Sequence, residues 1–292
     1  MINIKLVDKM VAHEEIFFKK GLKNLNLIRK NIENNDITLY TDQTLHLVLN
    51  DNKSKIKIGL IFESPEITPD CYDFLKNNFK YFDLILTFDK ELLELDERFK
   101  INLYGTTWLN SIYRKIYKKN KLCSLITSKK YYATGHKLRY DVINILNDKK
   151  NIDLYGGLFI PLQFSQTKPW TAEHDTQHIS NHKIKGLKDY MFSFVIENCK
   201  KDYYFTEKII DAFLSGTVPI YYGCPSIGDF FNEKGIITFD TAEEALNIFN
   251  SLNEDKYNSM LPYIEENFEK AKEFAIFKFN EQEILDICKK YK

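Results

Sequence analysis

Short, almost wholly apolar runs recur along this chain, separated by polar or amphipathic stretches, and that alternation restricts its fold more than any other feature. Lys55 to Phe62 (KIKIGLIF), Phe82 to Phe88 (FDLILTF), Leu122 to Thr127, Tyr190 to Ile196 and Val218 to Tyr222 are such runs. They predict strands covered on both faces, as in a parallel α/β sheet. Further strands are predicted at Ile2 to Val7, Ile152 to Tyr155 (ending in Gly156-Gly157) and Gly235 to Phe239. The helices predicted between them are Glu14 to Asn31, Phe74 to Phe82, Gly135 to Leu146, Thr206 to Ser215, Ala242 to Leu252 and Asn258 to Lys272. A lysine-rich stretch, Arg114 to Lys121 (RKIYKKNK), interrupts the alternation and reads as a solvated boundary. The expected organisation is an N-terminal α/β domain over 1–118 and a second over 119–275. Residues 276–292 are expected to form a C-terminal helix placed against the first domain. Two doubly wound domains facing a cleft would bind ligands at the carboxyl ends of their strands, where the strand order reverses.

Composition narrows the function classes. Of 292 residues, 44% are hydrophobic, with only 11 Gly and 7 Pro, which excludes a disordered or low-complexity chain. The 41 basic and 41 acidic residues cancel, so no nucleic-acid partner is expected. The basic stretch 114–121 offers at most weak contact with an anionic membrane surface. Five dispersed cysteines (Cys71, Cys123, Cys199, Cys224, Cys288) form no CxxC pair and read as reduced, buried thiols. Neither a signal-peptide pattern nor a membrane-length apolar run is visible, so the expected location is cytoplasmic or peripheral on the cytosolic membrane face.

The segment Phe192 to Pro225 carries the densest chemical signal. It reads as strand, polar loop, helix, Gly216 stop and strand, with Thr206 as N-cap and Glu207 in the first helical turn. A helix start with Lys208 beside it, and Asn198 and Tyr204 in the loop before it, could cradle a pyrophosphate. The competing reading is an ordinary capped helix whose Glu207 and Lys208 face water.

The order Glu197-Asn198, then Tyr204-Phe205-Thr206-Glu207-Lys208, then Val218-Pro219, Gly223 and Pro225 resembles the donor-binding signature of the α-1,3-fucosyltransferases. Phe62-Glu63-Ser64-Pro65 resembles the same family's acceptor-side phrase, and Leu103-Tyr104-Gly105 its following turn. Gly135-His136-Lys137-Leu138-Arg139 resembles a helix start bearing a phosphate-pairing arginine. The resemblance implies a GT-B-like fold, α/β with two Rossmann-like doubly wound domains. It implies inverting transfer of fucose from GDP-fucose, or a related nucleotide sugar, to a glycan hydroxyl.

It implies Glu63 as general base, with Glu66 as a neighbouring decoy; without the resemblance, Glu63 reads as a surface carboxylate before proline. Arg139 and Lys208 would neutralise the diphosphate, ahead of the weaker candidates His136 and Lys137. Asn198 and Tyr204 would orient it, and Glu207 would meet ribose or sugar hydroxyls. No Asp-x-Asp triplet is present, so no cofactor is required and no metal site is expected, although a non-essential divalent cation is compatible. His174, His178 and His182 are spaced like ligands, but their polar surroundings read as loop. The alternatives are a relative using another nucleotide sugar and a non-catalytic nucleotide-sugar-binding module.

Overall fold

The computed structural model describes residues 1–9, 22–29, 36–156, 167–169, 182–275 and 279–290. Two compact units emerge. The first comprises Met1–Tyr104, Asp202–Tyr204 and Ile276–Lys292, the second Gly105–Lys201 and Phe205–Ala275.

The first unit is built on a six-stranded, wholly parallel sheet: β1 (Ile2–Val7), β2 (Leu25–Ile28), β3 (Ile37–Thr41), β4 (Ile56–Leu60), β5 (Leu84–Thr87) and β6 (Phe99–Ile101). The spatial order is β2-β1-β3-β4-β5-β6, so the order reverses between β1 and β3. Burial on both faces explains the near-continuous apolar runs. Leu84 and Leu86 face one core, which the C-terminal helix Glu281–Lys290 closes with Ile284 and Cys288. Ile85 faces the other, closed by Cys71, Tyr72 and Leu75 of the helix Pro69–Asn78. The stretch expected as a helix over 14–31 differs: Leu25–Ile28 is a strand, paired in register with Ile2–Lys5. Leu25-Asn26-Leu27 alternates with period two, and backbone pairing to β1 secures it. The rest of that expected helix lies largely outside the described residues.

The second unit holds another parallel sheet: β7 (Lys121–Thr127), β8 (Ile152–Gly156), β9 (Thr167–Pro169), β10 (Tyr190–Ile196), β11 (Val218–Tyr222) and β12 (Ile237–Thr238). Its order, β12-β11-β10-β7-β8-β9, is doubly wound, and the reversal lies between β7 and β10. The helix Thr134–Ile145 follows β7, and the seven-residue helix Glu207–Phe213 follows β10. Gly216 ends the latter in the left-handed region (φ 71°), where a Cβ would also strike Ile116.

The division between the units falls between Tyr104 and Gly105, not at 118/119. Gly105 sits against the rings of Phe205 and Phe274, and the Trp108 N–H donates to Asp211 Oδ1 (3.1 Å), so the segment after 104 belongs to the second unit. Within the lysine-rich stretch, whose other lysines are exposed, Lys119 is anchored. Lys119 Nζ donates to Ser215 O (2.7 Å), Thr217 Oγ1 (2.9 Å), Leu187 O and Lys188 O (both 3.2 Å), and burial pulls its pKa down to about 7. A lysine can be a structural peg when carbonyls replace its water shell.

All five cysteines are buried thiols. Among the described residues, no helix is long and apolar enough to cross a membrane, and no three His, Cys, Asp or Glu side chains are placed to hold a metal ion. His174 and His178 lie outside the described residues.

Candidate functional site

In the second unit the chemistry collects at the carboxyl ends of β7 and β10, the point of reversed strand order at which open α/β sheets bind ligands. The helix Thr134–Ile145 begins there, pressed against the end of β10. The Gly135 N–H donates to Asn198 O (2.8 Å), and a Cβ on Gly135 would lie 1.8 Å from Glu197 O. Only glycine permits that approach. One turn later Arg139, itself buried, donates from Nε to Ile196 O (3.1 Å) and from Nη2 to Asn198 Oδ1 (3.1 Å). His136 Nδ1 accepts the Ala133 N–H (3.2 Å). Burial, followed by the charges of Arg139, Lys130 and Lys208, lowers its pKa to about 4, so the imidazole is neutral at physiological pH.

Across from this helix start, Glu197 is the hub. It is fully buried at the end of β10, accepting the Thr206 N–H (2.8 Å) on Oε1 and the Thr206 hydroxyl (2.7 Å) and Lys208 Nζ (3.0 Å) on Oε2. Lys208 also donates to Thr206 Oγ1 (2.8 Å). Burial alone would strip its proton, but Glu197 and Glu207 outweigh that and raise its pKa. Lys208 retains 24% of its side-chain exposure while Glu197 has none, so the cation is the outward member of the pair.

Glu207 is buried and turned inwards. Its carboxylate lies 3.5 Å from Lys183 Nζ and 3.7 Å from Lys208 Nζ. Burial pushes it up, but the two cations prevail and hold it at about 2. Lys183 in turn lies 2.7 Å from Asp211 Oδ2 and 4.9 Å above the Trp108 ring, and Asp211 accepts the Thr107 hydroxyl. Two cations, Lys183 and Lys208, thus interleave with three carboxylates, Glu197, Glu207 and Asp211, while Arg139 is held by Ile196 O and Asn198 Oδ1. Such a network fixes the orientation of cations in a buried site, which is the arrangement an anion-binding site needs.

Of the residues singled out from sequence, Arg139, Asn198, Glu207 and Lys208 therefore gather in one cluster. Tyr204 is assigned to the first unit, where it is fully buried, its ring centroid 5.0 Å from that of Phe88. An aromatic body at that position is a core residue before it is a hydrogen-bond donor. The cluster also contains residues to which sequence reasoning gave no role: Glu197, Lys183 and Asp211. A signal existed for two of them, since an acid closing the apolar run of β10 and an acid in the apolar face IIDAF are both costly unless paired.

Glu63 lies in the first unit, half-buried in the loop after β4. Its N–H donates to Asp42 Oδ1 (3.2 Å), and its carbonyl accepts the Tyr72 hydroxyl (2.9 Å). Ser64 O closes the turn by accepting the N–H groups of Ile67 (2.9 Å) and Thr68 (3.1 Å). Glu66, the neighbouring carboxylate, is exposed in that turn.

Comparison with known proteins bears on this arrangement. The sequence profile of glycosyltransferase family 10 (fucosyltransferase), C-terminal part, matches residues 116–292, which include the whole charged cluster. The chain is 38% identical over 107 residues to the alpha-(1,3)-fucosyltransferase FucT of Helicobacter pylori, covering 34% of this chain and 22% of that protein. The matched part thus spans about a fifth of that relative. A crystal structure of an alpha1,3-fucosyltransferase with GDP-fucose superposes with a TM-score of 0.56 at 18% identity, covering 96% of this chain and 93% of the other. Anabaena HepE in complex with UDP-glucose gives 0.60 at 11% identity, over 87% and 79%. These likenesses establish the fold, a GT-B pair of parallel-sheet α/β units.

Proposed function

The chain belongs to glycosyltransferase family 10, the fucosyltransferase family, and on that footing we propose that it moves fucose from GDP-fucose to a glycan hydroxyl with inversion at the anomeric carbon. In this reading the acceptor oxygen attacks the anomeric carbon as Glu63 takes its proton. The bond from that carbon to the diphosphate oxygen breaks, and GDP departs with the electron pair.

Positive charge on the leaving diphosphate carries most of the rate in an oxocarbenium-like transition state. Arg139 and Lys208 supply it, Asn198 aligns the phosphates, and the Glu197–Thr206 bonds hold Lys208 in place. Glu207 serves the site from within, by pairing with Lys183 and keeping Lys208 charged; a direct contact with a ribose or sugar hydroxyl would require it to give up part of that pairing. Because fixed cations meet the diphosphate, the reading needs no divalent metal. The single observation that carries it is the gathering of Arg139, Asn198 and Lys208 at the β7–β10 reversal of the second sheet.

The test is a donor screen followed by turnover. GDP and GDP-fucose raise the melting temperature, whereas UDP-sugars do not. GDP release from GDP-fucose with a panel of glycan acceptors survives EDTA and is lost in Lys208→Met and Glu63→Gln. Stabilisation by UDP-sugars alone would overturn the donor assignment, and GDP-fucose binding without turnover on any acceptor would leave a binding module.

A further inference from the structure

A second buried acid, Asp42, stands at the reversal of the first sheet, immediately after β3 and on the far side of the loop that carries Glu63. Its backbone is in the left-handed region (φ 39°), where a residue with a Cβ is strained and glycine is not. Its side chain is buried, and Oδ1 accepts the N–H of Phe62 (2.9 Å) as well as that of Glu63 (3.2 Å). With the Tyr72 hydroxyl on the Glu63 carbonyl, three hydrogen bonds from two elements fix the backbone from which the Glu63 side chain springs.

Burial raises the Asp42 pKa to about 7 against the pull of the two N–H groups, and the charge of Glu63 adds to the rise. Among the described residues, Cys71 on the helix Pro69–Asn78 also faces Asp42, pushed up to about 11 by burial and then by Asp42, with Asp70 and Lys9 acting on Cys71 in turn. A strained backbone kept for the sake of a side chain implies that the side chain has a task.

We propose that Asp42 is the positioning residue for the general base, holding the Phe62–Glu63 segment in the geometry in which the Glu63 carboxylate meets an acceptor hydroxyl. This rests on the assignment of Glu63 as base. The carboxyl group keeps its Oδ1 acceptor whether protonated or not, so the loop stays held across the pH range. Ionisation near neutrality places a second negative charge beside Glu63 and makes it the stronger base.

The experiment compares Asp42→Gly, Asp42→Asn and Glu63→Gln in the full chain, with GDP binding, melting temperature and the pH dependence of transfer as readouts. Glycine suits the φ of position 42, which offsets part of the cost of leaving the Phe62 and Glu63 N–H groups without their acceptor. Asp42→Gly therefore stays folded, melts somewhat below the wild type and binds GDP unchanged, while kcat falls by about tenfold or more as the base loses its alignment. Asp42→Asn, whose amide oxygen accepts the same two N–H groups, recovers most of that loss. It also lacks the rise in rate across neutral pH that the wild type shows. A kcat within about twofold of wild type in Asp42→Gly, or an Asp42→Asn pH profile superimposable on the wild type, overturns the proposal. Glu63→Gln separates the two levels. Full activity there removes the base assignment itself, whereas an inactive Glu63→Gln beside a fully active Asp42→Gly removes only the role of Asp42.

Discussion

Substituting Gly135 by alanine tests whether the helix start and the end of β10 form one rigid unit. Helix propensity alone favours alanine by about 1 kcal/mol. Contact decides otherwise, because the new Cβ would lie 1.8 Å from Glu197 O, with Asn198 C and O both at 2.9 Å, and all three are backbone atoms that cannot rotate away. Reaching 3.4 Å, where van der Waals contact becomes ordinary, requires the helix start to retreat by about 1.6 Å. That retreat breaks the Gly135 N–H bond to Asn198 O and pulls Arg139 off Ile196 O. Overpacking costs about 1–3 kcal/mol and a lost charge-assisted hydrogen bond about 1.5–3 kcal/mol. Less the propensity gain, the net destabilisation is about 2–5 kcal/mol, or roughly 5–15 °C in melting temperature. A displacement of more than 1 Å in the arginine also predicts a loss of about 100-fold or more in turnover. Thermal unfolding by circular dichroism and GDP titration by calorimetry read the two effects, with the exposed Lys137→Ala on the same helix as control, expected within about 0.5 kcal/mol of wild type. If Gly135→Ala melts at or above the wild type and binds GDP equally, the close approach is not structural and the reasoning fails.

Three further predictions follow from the same geometry. Lys208→Met strands the buried Glu197 and destabilises by about 3–5 kcal/mol, and the double variant Glu197→Gln/Lys208→Met regains most of it, as denaturant melts would report. Lys119→Met leaves four buried acceptors without their cation, so the second unit unfolds at lower urea by about 2–4 kcal/mol despite the apolar gain. The His136 pKa is depressed to about 4 by burial and then by its cationic neighbours, so between pH 4 and the ordinary 6.5 the unfolded chain binds the extra proton. Stability therefore falls as pH drops through that window. Urea midpoints measured against pH should flatten there in His136→Gln, which keeps an acceptor for the Ala133 N–H.

The sheets were readable because strands buried on both faces are apolar throughout, as in FDLILTF and YMFSFVI. β3 was not, although all five of its residues are buried, because Thr38, Tyr40 and Thr41 dilute the apolar run and their hydroxyls find partners only in three dimensions: Thr38 with Ser54, Tyr40 with Asp51. Lys119 misled for the opposite reason. Composition counts a charge as solvated, whereas four carbonyl and hydroxyl oxygens contributed by residues 187, 188, 215 and 217 make a buried ammonium tolerable. At the site, a resemblance in motif order was enough to collect Arg139, Asn198 and Lys208. It said nothing of Lys183 and Asp211, because the worth of a buried charge depends on a partner at a sequence distance no local pattern encodes.

Placed side by side, the two units solve one problem with one device under opposite electrostatics. In each, an acid at the carboxyl end of a strand beside the sheet reversal accepts N–H groups from the loop that holds the candidate functional residue: Glu197 from Thr206, Asp42 from Phe62 and Glu63. A single carboxylate can order a loop in this way because its lone pairs replace the water that buried N–H groups would otherwise lack. The partner then sets the chemistry. Lys208 faces Glu197, which raises the lysine's pKa and keeps it charged, as the proposed diphosphate-binding role requires. At Asp42 burial raises the pKa, and the like charge of Glu63 adds to that rise where a cation would oppose it. Exchanging the partners should exchange the behaviours. Placing a cation beside Asp42 (Cys71→Lys, from the facing helix) should drop the Asp42 titration from near 7 towards the ordinary carboxylate range, and NMR titration of the Asp42 carboxyl carbon would follow it. An unmoved titration would mean that a facing charge does not reach the acid through its burial, and the two units would then share a shape but not a principle.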